Sequence, residues 1–268
     1  MKEISVATLL GQLDVAIKAS ASPVAMAFDA DGTLWSGDAG EDFLFAMIAR
    51  KLVLPEAAEA LDREARSCGL SCGGASPTEV VRALFDAYVS GQYAEENICR
   101  VTAWACAGYD EESVRKMAHG FLVDAKLASR ALPETQAIAA FAKERSVPIY
   151  VVSASPAYVV SAGLRLLGIE CEGLLAVVPH YALGRMLPSC AEPIPYGKGK
   201  RTLLDATLRQ ASGRKLLAAF GDNVFDLPML TAAEHGVVIR PKKRLLDALG
   251  PGDAESLWHL LPPEARGD

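Results

Sequence analysis

Three short apolar runs without polar alternation mark the chain, at residues 24–28, 147–152 and 216–220, and residues 237–239 form a shorter fourth. Each ends in polar or turn-forming residues. That pattern predicts strands covered on both faces, because a strand with one wet face would alternate. Between the last three runs the apolar spacing becomes helical, over residues 157–167, 201–210 and 225–233. The third of these carries Pro228 near its start, where a missing amide proton costs little. Residues 135–145 predict the helix that leads into the second run. Strands alternating with helices predict an α/β fold, a doubly wound parallel sheet of Rossmann-like type.

The gap between the first two strands is too long for one crossover. Residues 78–88, led in by Ser76-Pro77, and residues 111–127 read as helices, and the glycine-rich stretch 68–75 reads as a loop. We therefore expect residues 1–36 and 130–268 to form the core and residues 37–129 a helical cap inserted after the first strand. Such an insert would lie over the carboxyl edge of the sheet, where open α/β sheets bind ligands. At the amino terminus, Glu3, Gln12, Asp14 and Lys18 interrupt any apolar run, so residues 1–22 predict an amphipathic helix and neither a signal nor a membrane span.

Composition narrows the function. The chain has 268 residues, 51% of them hydrophobic, with 33 acids against 27 lysines and arginines and a net charge of -6. A nucleic-acid partner calls for a basic face, so none is expected. The six cysteines are scattered, and Cys68 and Cys72 find no second pair at zinc-ligand spacing; reduced thiols and a cytoplasmic setting follow.

The chemistry gathers where the apolar runs stop. Asp29-Ala30-Asp31-Gly32-Thr33 follows the first run; two carboxylates two apart at a strand end can reach one site, and Gly32 permits a sharp turn. The same dipeptide Asp31-Gly32 would serve equally in a plain turn. Val151-Val152-Ser153-Ala154-Ser155 ends the second run with hydroxyl and amide donors for a phosphate oxygen. Phe220-Gly221-Asp222-Asn223-Val224-Phe225-Asp226 ends the third and adds two acids, an oxygen-rich cradle suited to Mg²⁺. Taken singly, Asp222 or Asp226 reads as a helix cap.

In order, AFDADGTLW, VVSAS, a Gly-Lys segment and FGDNVFD resemble the four signature motifs of the haloacid dehalogenase-like hydrolases, and the insert resembles the cap of their phosphoserine and phosphocholine phosphatase branch. The resemblance spans roughly residues 24–241. It implies a Mg²⁺-dependent phosphomonoester hydrolase acting through an aspartyl-phosphate. Asp29 would be the nucleophile and Asp31 the general acid and base. Asp29, Asp31 (through its carbonyl), Asp222 and Asp226 would surround the metal. Gly32, Thr33, Ser153, Ala154 and a lysine would hold the phosphoryl group. Lys198 and Lys200 both qualify as that lysine, and Lys200 is preferred because Leu203 and Leu204 follow it at the spacing of a buried helix face. Dehalogenases of this family lack the second aspartate, since a halide leaves without a proton; Asp31 therefore points to ester chemistry.

Two residues are candidates for contact with the rest of a small phosphate ester. Trp35 could line the mouth of the site or pack at the cap hinge. Asp38 lies where related amino-acid phosphatases meet an amine, yet acids at a helix start also favour the helix dipole. None of Arg63, Arg66, Arg82 and Arg100 stands out as a carboxylate-holding residue. Two alternative functions share the fold: a phosphotransferase using an alcohol acceptor, and a non-catalytic binding module.

Overall fold

Parallel pairing along one sheet sets the architecture, and the computed structural model describes it for residues 1–211 and 213–262. Position 212 and residues 263–268, assigned above to the core, lie outside the described residues. The strands are β1 (Lys2–Ile4), β2 (Val24–Phe28), β3 (Ile149–Pro156), β4 (Gly173–Val177), β5 (Pro179–Ala182), β6 (Arg185–Cys190), β7 (Lys215–Gly221), β8 (His235–Ile239) and β9 (Leu257–Leu260). Seven of them form the sheet in the order β1-β9-β8-β7-β2-β3-β4, every neighbouring pair parallel. β5 and β6 form a separate antiparallel hairpin.

Helix α1 (Val6–Ala19) precedes β2. Between β2 and β3 come α2 (Ala39–Ala49), α3 (Ala58–Ser67), α4 (Pro77–Val89), α5 (Glu95–Trp104), α6 (Glu111–Asp124) and α7 (Pro133–Glu144). The rest are α8 (Ala157–Leu167), α9 (Lys198–Gln210), α10 (Leu227–Leu230), α11 (Lys243–Ala248) and α12 (Pro251–Ser256). The strand pleat sorts β2 between two cores. Val24, Met26 and Phe28 join Leu9 and Leu13 of α1 and Ile138 of α7 on one face, while Ala25 and Ala27 face Leu204 and Leu208 of α9 and Met229 of α10 on the other. This is the predicted doubly wound α/β fold.

The differences lie at the edges. The expected leading helix is preceded by β1, which pairs with β9 so that Lys2 lies opposite Trp258 and Ile4 opposite Leu260. β3 runs from Ile149 to Pro156, later than the apolar run; the amide of Val147 closes the end of α7 on the Ala142 carbonyl, 2.9 Å, and Pro148 has no amide to give. The helix expected over residues 111–127 stops at Asp124, before Lys126 turns to φ 53°. The one expected over 225–233 is a 3₁₀ turn, Val224–Asp226, followed by the four residues of α10.

The helical insert leaves and rejoins the core through two adjacent connectors. Trp35 bridges Ala131, the Ser36 amide donates to the Arg130 carbonyl at 2.9 Å, and the Leu132 amide donates to Leu34 at 3.1 Å. Arg130 then reaches Asp42 of α2. The β5–β6 hairpin is stitched to the insert by reciprocal backbone bonds between Gly108, Tyr109 and Met186, 2.9 Å each.

Phe28 and Phe220 stack across β2 and β7 with ring centroids 4.3 Å apart, directly beneath the two strand ends that carry aspartates. Phe28→Ala should lower the unfolding free energy by about 3–5 kcal/mol, the usual cost of emptying an aromatic site in a closed core, as read from urea unfolding. A loss near zero would show that this stack does not hold the two strand ends.

Candidate active site

All strands of the sheet run the same way, so the residues that follow β2, β3, β7 and β8 meet at one edge. Phe28 pairs with both Val151 and Phe220, and this register sets Asp29 beside the ends of β3 and β7. The Asp29 amide is held by the Phe220 carbonyl at 2.9 Å. The turn then depends on two glycines. Gly32 has φ +84°, and a Cβ there would run into the Asp222 carboxylate; a Cβ at Gly221 would lie 2.5 Å from Cβ of Asp226. Both positions need the bare backbone, Gly32 because Asp222 of another loop crowds it and Gly221 because Asp226 of its own turn folds back on it.

Asp29 is buried and its two oxygens are separately held. Lys200 Nζ donates to Oδ1 at 2.5 Å, and Thr33 Oγ1 donates to Oδ2 at 3.2 Å. Lys200 also donates to Asp226 Oδ1 at 2.5 Å, while the amides of Asp222 and Asn223 donate to Asp226 Oδ2 at 3.1 and 2.9 Å. Lys200 is thus the buried lysine, on the same face of α9 as Leu204 and Leu208; Lys198 is exposed. Ser153 is buried at the end of β3, and its Oγ accepts the Ser155 amide at 3.1 Å.

Asp31 faces the connector to the insert. Its Oδ1 accepts from Trp35 Nε1 at 2.7 Å and from the Ala39 amide at 2.6 Å, and its Oδ2 meets Ser155 Oγ at 2.6 Å. Of the two places open to Trp35, the indole takes the hinge. It is fully buried against Gly163 of α8, where a Cβ would come within 2.9 Å of the ring, so it does not line a mouth. Thr33 is likewise enclosed and supports Asp29 from below instead of facing the cavity. Asp38 both borders the cavity and caps α2, its Oδ1 accepting the Glu41 amide at 2.8 Å.

The cavity over these residues measures about 420 Å³ and is bordered by Asp29, Asp31, Gly32, Ser153, Ala154, Lys200, Asp222 and Asp226. Tyr88 of α4, Glu95 of α5, Tyr196, Lys242 and Arg244, unmarked by the sequence reading, also line it. Arg244 Nη1 pairs with Glu95 Oε2 at 2.7 Å, a core-to-insert ion pair at the rim. None of Arg63, Arg66, Arg82 and Arg100 borders this cavity. Lys242 and Arg244 follow β8, and that strand-end position was the signal available for them.

A family model of haloacid dehalogenase-like hydrolases matches residues 26–231. The chain belongs to this family. A search of curated protein sequences returns no match. Among solved structures, a conserved, functionally unknown protein from Anaerococcus prevotii DSM 20548 superposes on this hydrolase with a TM-score of 0.69 at 15% identity, covering 96% of this chain and 92% of that one. A protein of unknown function from Bordetella pertussis Tohama I gives 0.65 at 19% identity, covering 90% and 99%. A substrate-bound phosphoserine phosphatase gives 0.53 at 16%, covering 85% and 91%. At these identities what is shared is the fold. No described helix is long and apolar enough to cross a membrane.

The electrostatics of the hydrolase's site are unbalanced. Carboxylate oxygens of Asp29, Asp222 and Asp226 lie within 4.8 Å of one another, with the ammonium groups of Lys200 and Lys242 among them. Burial, then repulsion from Asp226, holds Asp29 well above the usual carboxylate pKa, although Lys200 pulls the other way. Burial, then Asp226, pushes Asp222 up to about 6. For Lys200, burial disfavours the charge, yet Asp226 and Asp29 outweigh it and keep the ammonium above its ordinary value. Hard oxygen donors in negative excess fit a small divalent cation, which would relieve this repulsion.

The direction of the Asp222 shift has a measurable consequence without metal. A carboxyl with a higher pKa folded than unfolded stabilises the fold most below its unfolded value, and that share is lost as pH rises through the folded one. Asp222→Asn does not titrate. With chelator present, the stability of Asp222→Asn relative to wild type should therefore climb as pH rises from 3.8 through about 6. A pH-independent difference in urea midpoints would contradict the shift.

Proposed function

We propose that this hydrolase is a Mg²⁺-dependent phosphatase of a small phosphorylated metabolite, acting through an aspartyl-phosphate on Asp29. The observation that carries the reading is the Asp29 carboxylate itself. It ends an inner strand, borders a cavity of about 420 Å³ and has Lys200 on one oxygen and Thr33 on the other, with a second aspartate two residues on. A cavity of this size suits a metabolite and not a polymer. Residues 37–129 would act as the cap that closes over it.

Asp29 attacks phosphorus in line; a P–O bond forms to its carboxylate as the ester P–O bond breaks, and Asp31 gives the departing alkoxide its proton. Water then loses a proton to Asp31 and attacks the same phosphorus, releasing Asp29 and inorganic phosphate. Splitting one hard displacement in two is the gain from a covalent nucleophile. Lys200 and Ser153, with the backbone amide at Ala154, would bind the phosphoryl oxygens; Gly32, expected to join them, instead donates its amide to the Trp35 carbonyl at 2.8 Å and serves the turn. Asp29, Asp222 and the Asp31 carbonyl would hold Mg²⁺, with Asp226 as a further ligand or an anchor; the ion supplies positive charge against the equatorial oxygens. The unpaired thiols accord with a reducing, cytoplasmic setting.

The test is phosphate release from a panel of small phosphomonoesters with Mg²⁺ or with chelator. Release should need the metal and vanish in Asp29→Asn. Asp31→Asn should retain binding and lose about 10²–10⁴-fold in turnover for esters with poor leaving groups, the typical worth of a positioned acid and base. Products formed with added alcohols would reveal a transferase, and no turnover of any ester would favour a binding module.

A further inference from the structure

We infer that Lys242 is a positioning residue that holds Asp222 in the metal-free enzyme and competes with the divalent cation for it, so that this side chain sets how tightly the metal binds. The inference rests on the metal-dependent reading above.

Lys242 Nζ lies 2.9 Å from Asp222 Oδ2. Its backbone is tied to the same residue, the Lys242 amide donating to the Asp222 carbonyl at 2.8 Å, so the root of the side chain cannot drift away. The partners differ in freedom. The Asp222 side chain is 3% exposed, whereas that of Lys242 is 49% exposed and borders the open cavity. The carboxylate must stay, while the ammonium can withdraw into water on its flexible four-carbon stem. Oδ2 is also the Asp222 oxygen turned toward the nucleophile turn, since it is the atom a Cβ at Gly32 would strike first.

The remaining cations are committed elsewhere. Lys200 is buried between two acids and has no route out. Lys243 pairs with Asp247 and Arg244 with Glu95. Lys242 alone among these couples one of the expected ligand carboxylates to solvent. A divalent ion arriving at Asp222 must displace an ammonium from the oxygen it seeks or sit beside it, and either adds a penalty that an uncharged side chain would not impose.

The experiment uses the full chain, stripped of metal by chelation, in wild-type form and as Lys242→Met and Lys242→Arg. Mg²⁺ is titrated by calorimetry, and each protein is melted in chelator and in saturating Mg²⁺. Lys242→Met should bind Mg²⁺ about ten-fold more tightly, the scale of repulsion between a unit and a double charge a few ångström apart in a wet cleft. It should melt below wild type in chelator and level with it in saturating Mg²⁺, while Lys242→Arg keeps the wild-type affinity. Equal or weaker Mg²⁺ binding by Lys242→Met overturns the inference. So does a melting deficit that Mg²⁺ leaves unchanged, because that is the mark of a merely structural ion pair. A wild-type protein that binds no Mg²⁺ overturns the metal-dependent reading itself, a result distinct from equal binding by both proteins.

Discussion

The site is built around one buried ammonium. Lys200 reaches Asp29 and Asp226, 2.5 Å from each, and the three residues come from the first turn of α9, the end of β2 and the turn after β7. Taking charges out of water costs several kcal/mol per ion, which mutual attraction offsets only when the geometry is good and the remaining lone pairs are filled. Here they are filled: Asp226 accepts two backbone amides and Asp29 a hydroxyl. Because each partner sits on a different element, satisfying this triad fixes the height of α9 against the sheet and the path of both turns. The cavity inherits its floor from that requirement.

A single ammonium between two acids leaves one carboxylate uncompensated, and Asp222 adds a third acid balanced only by the half-exposed Lys242. The fold tolerates this crowding because Gly32 lets the turn after β2 close on Asp222, and Gly221 lets Asp226 fold back on the end of its own strand. Larger residues would separate the acids and lower the repulsion, but would also disperse the donors that a divalent ion needs. The raised pKa values of Asp29 and Asp222 express that compromise: the metal-free site stores repulsion that a cation can release.

Much of this was legible in the sequence because, in a parallel sheet, hydrophobic runs end where chemistry begins. Asp29, Ser153 and Asp222 each follow a buried run, and the shared direction of the strands brings them together without further information. The choice of Lys200 over Lys198 was also local, drawn from Leu203 and Leu204; of these Leu204 lies on the buried face of α9 with Lys200, and Leu208 continues that face. The unread parts depend on distant partners. β1 and β9 are three and four residues long and make sense only as a pair joining opposite ends of the described chain. The place of Trp35 is decided by the space that Gly163 leaves on α8. Lys242 and Arg244 sit in a run of three basic residues that resembles ordinary surface charge, and only their position after β8 sets them apart.

Asp31 raises a question of capacity, since on the proposed chemistry it must move a proton while it also fastens the insert. Its two oxygens divide the work. Oδ1 accepts from the Trp35 indole and the Ala39 amide, groups that can only donate, so that oxygen must keep its lone pairs free. Oδ2 meets only the Ser155 hydroxyl, and a hydroxyl can donate to a carboxylate or accept from a carboxylic acid. A proton can therefore come and go on Oδ2 with Ser155 reversing its role, and the hinge contacts on Oδ1 need not break. On the proposed chemistry, an acid–base role for Asp31 is compatible with its place at the hinge because its one changeable contact is to a group that works in both directions.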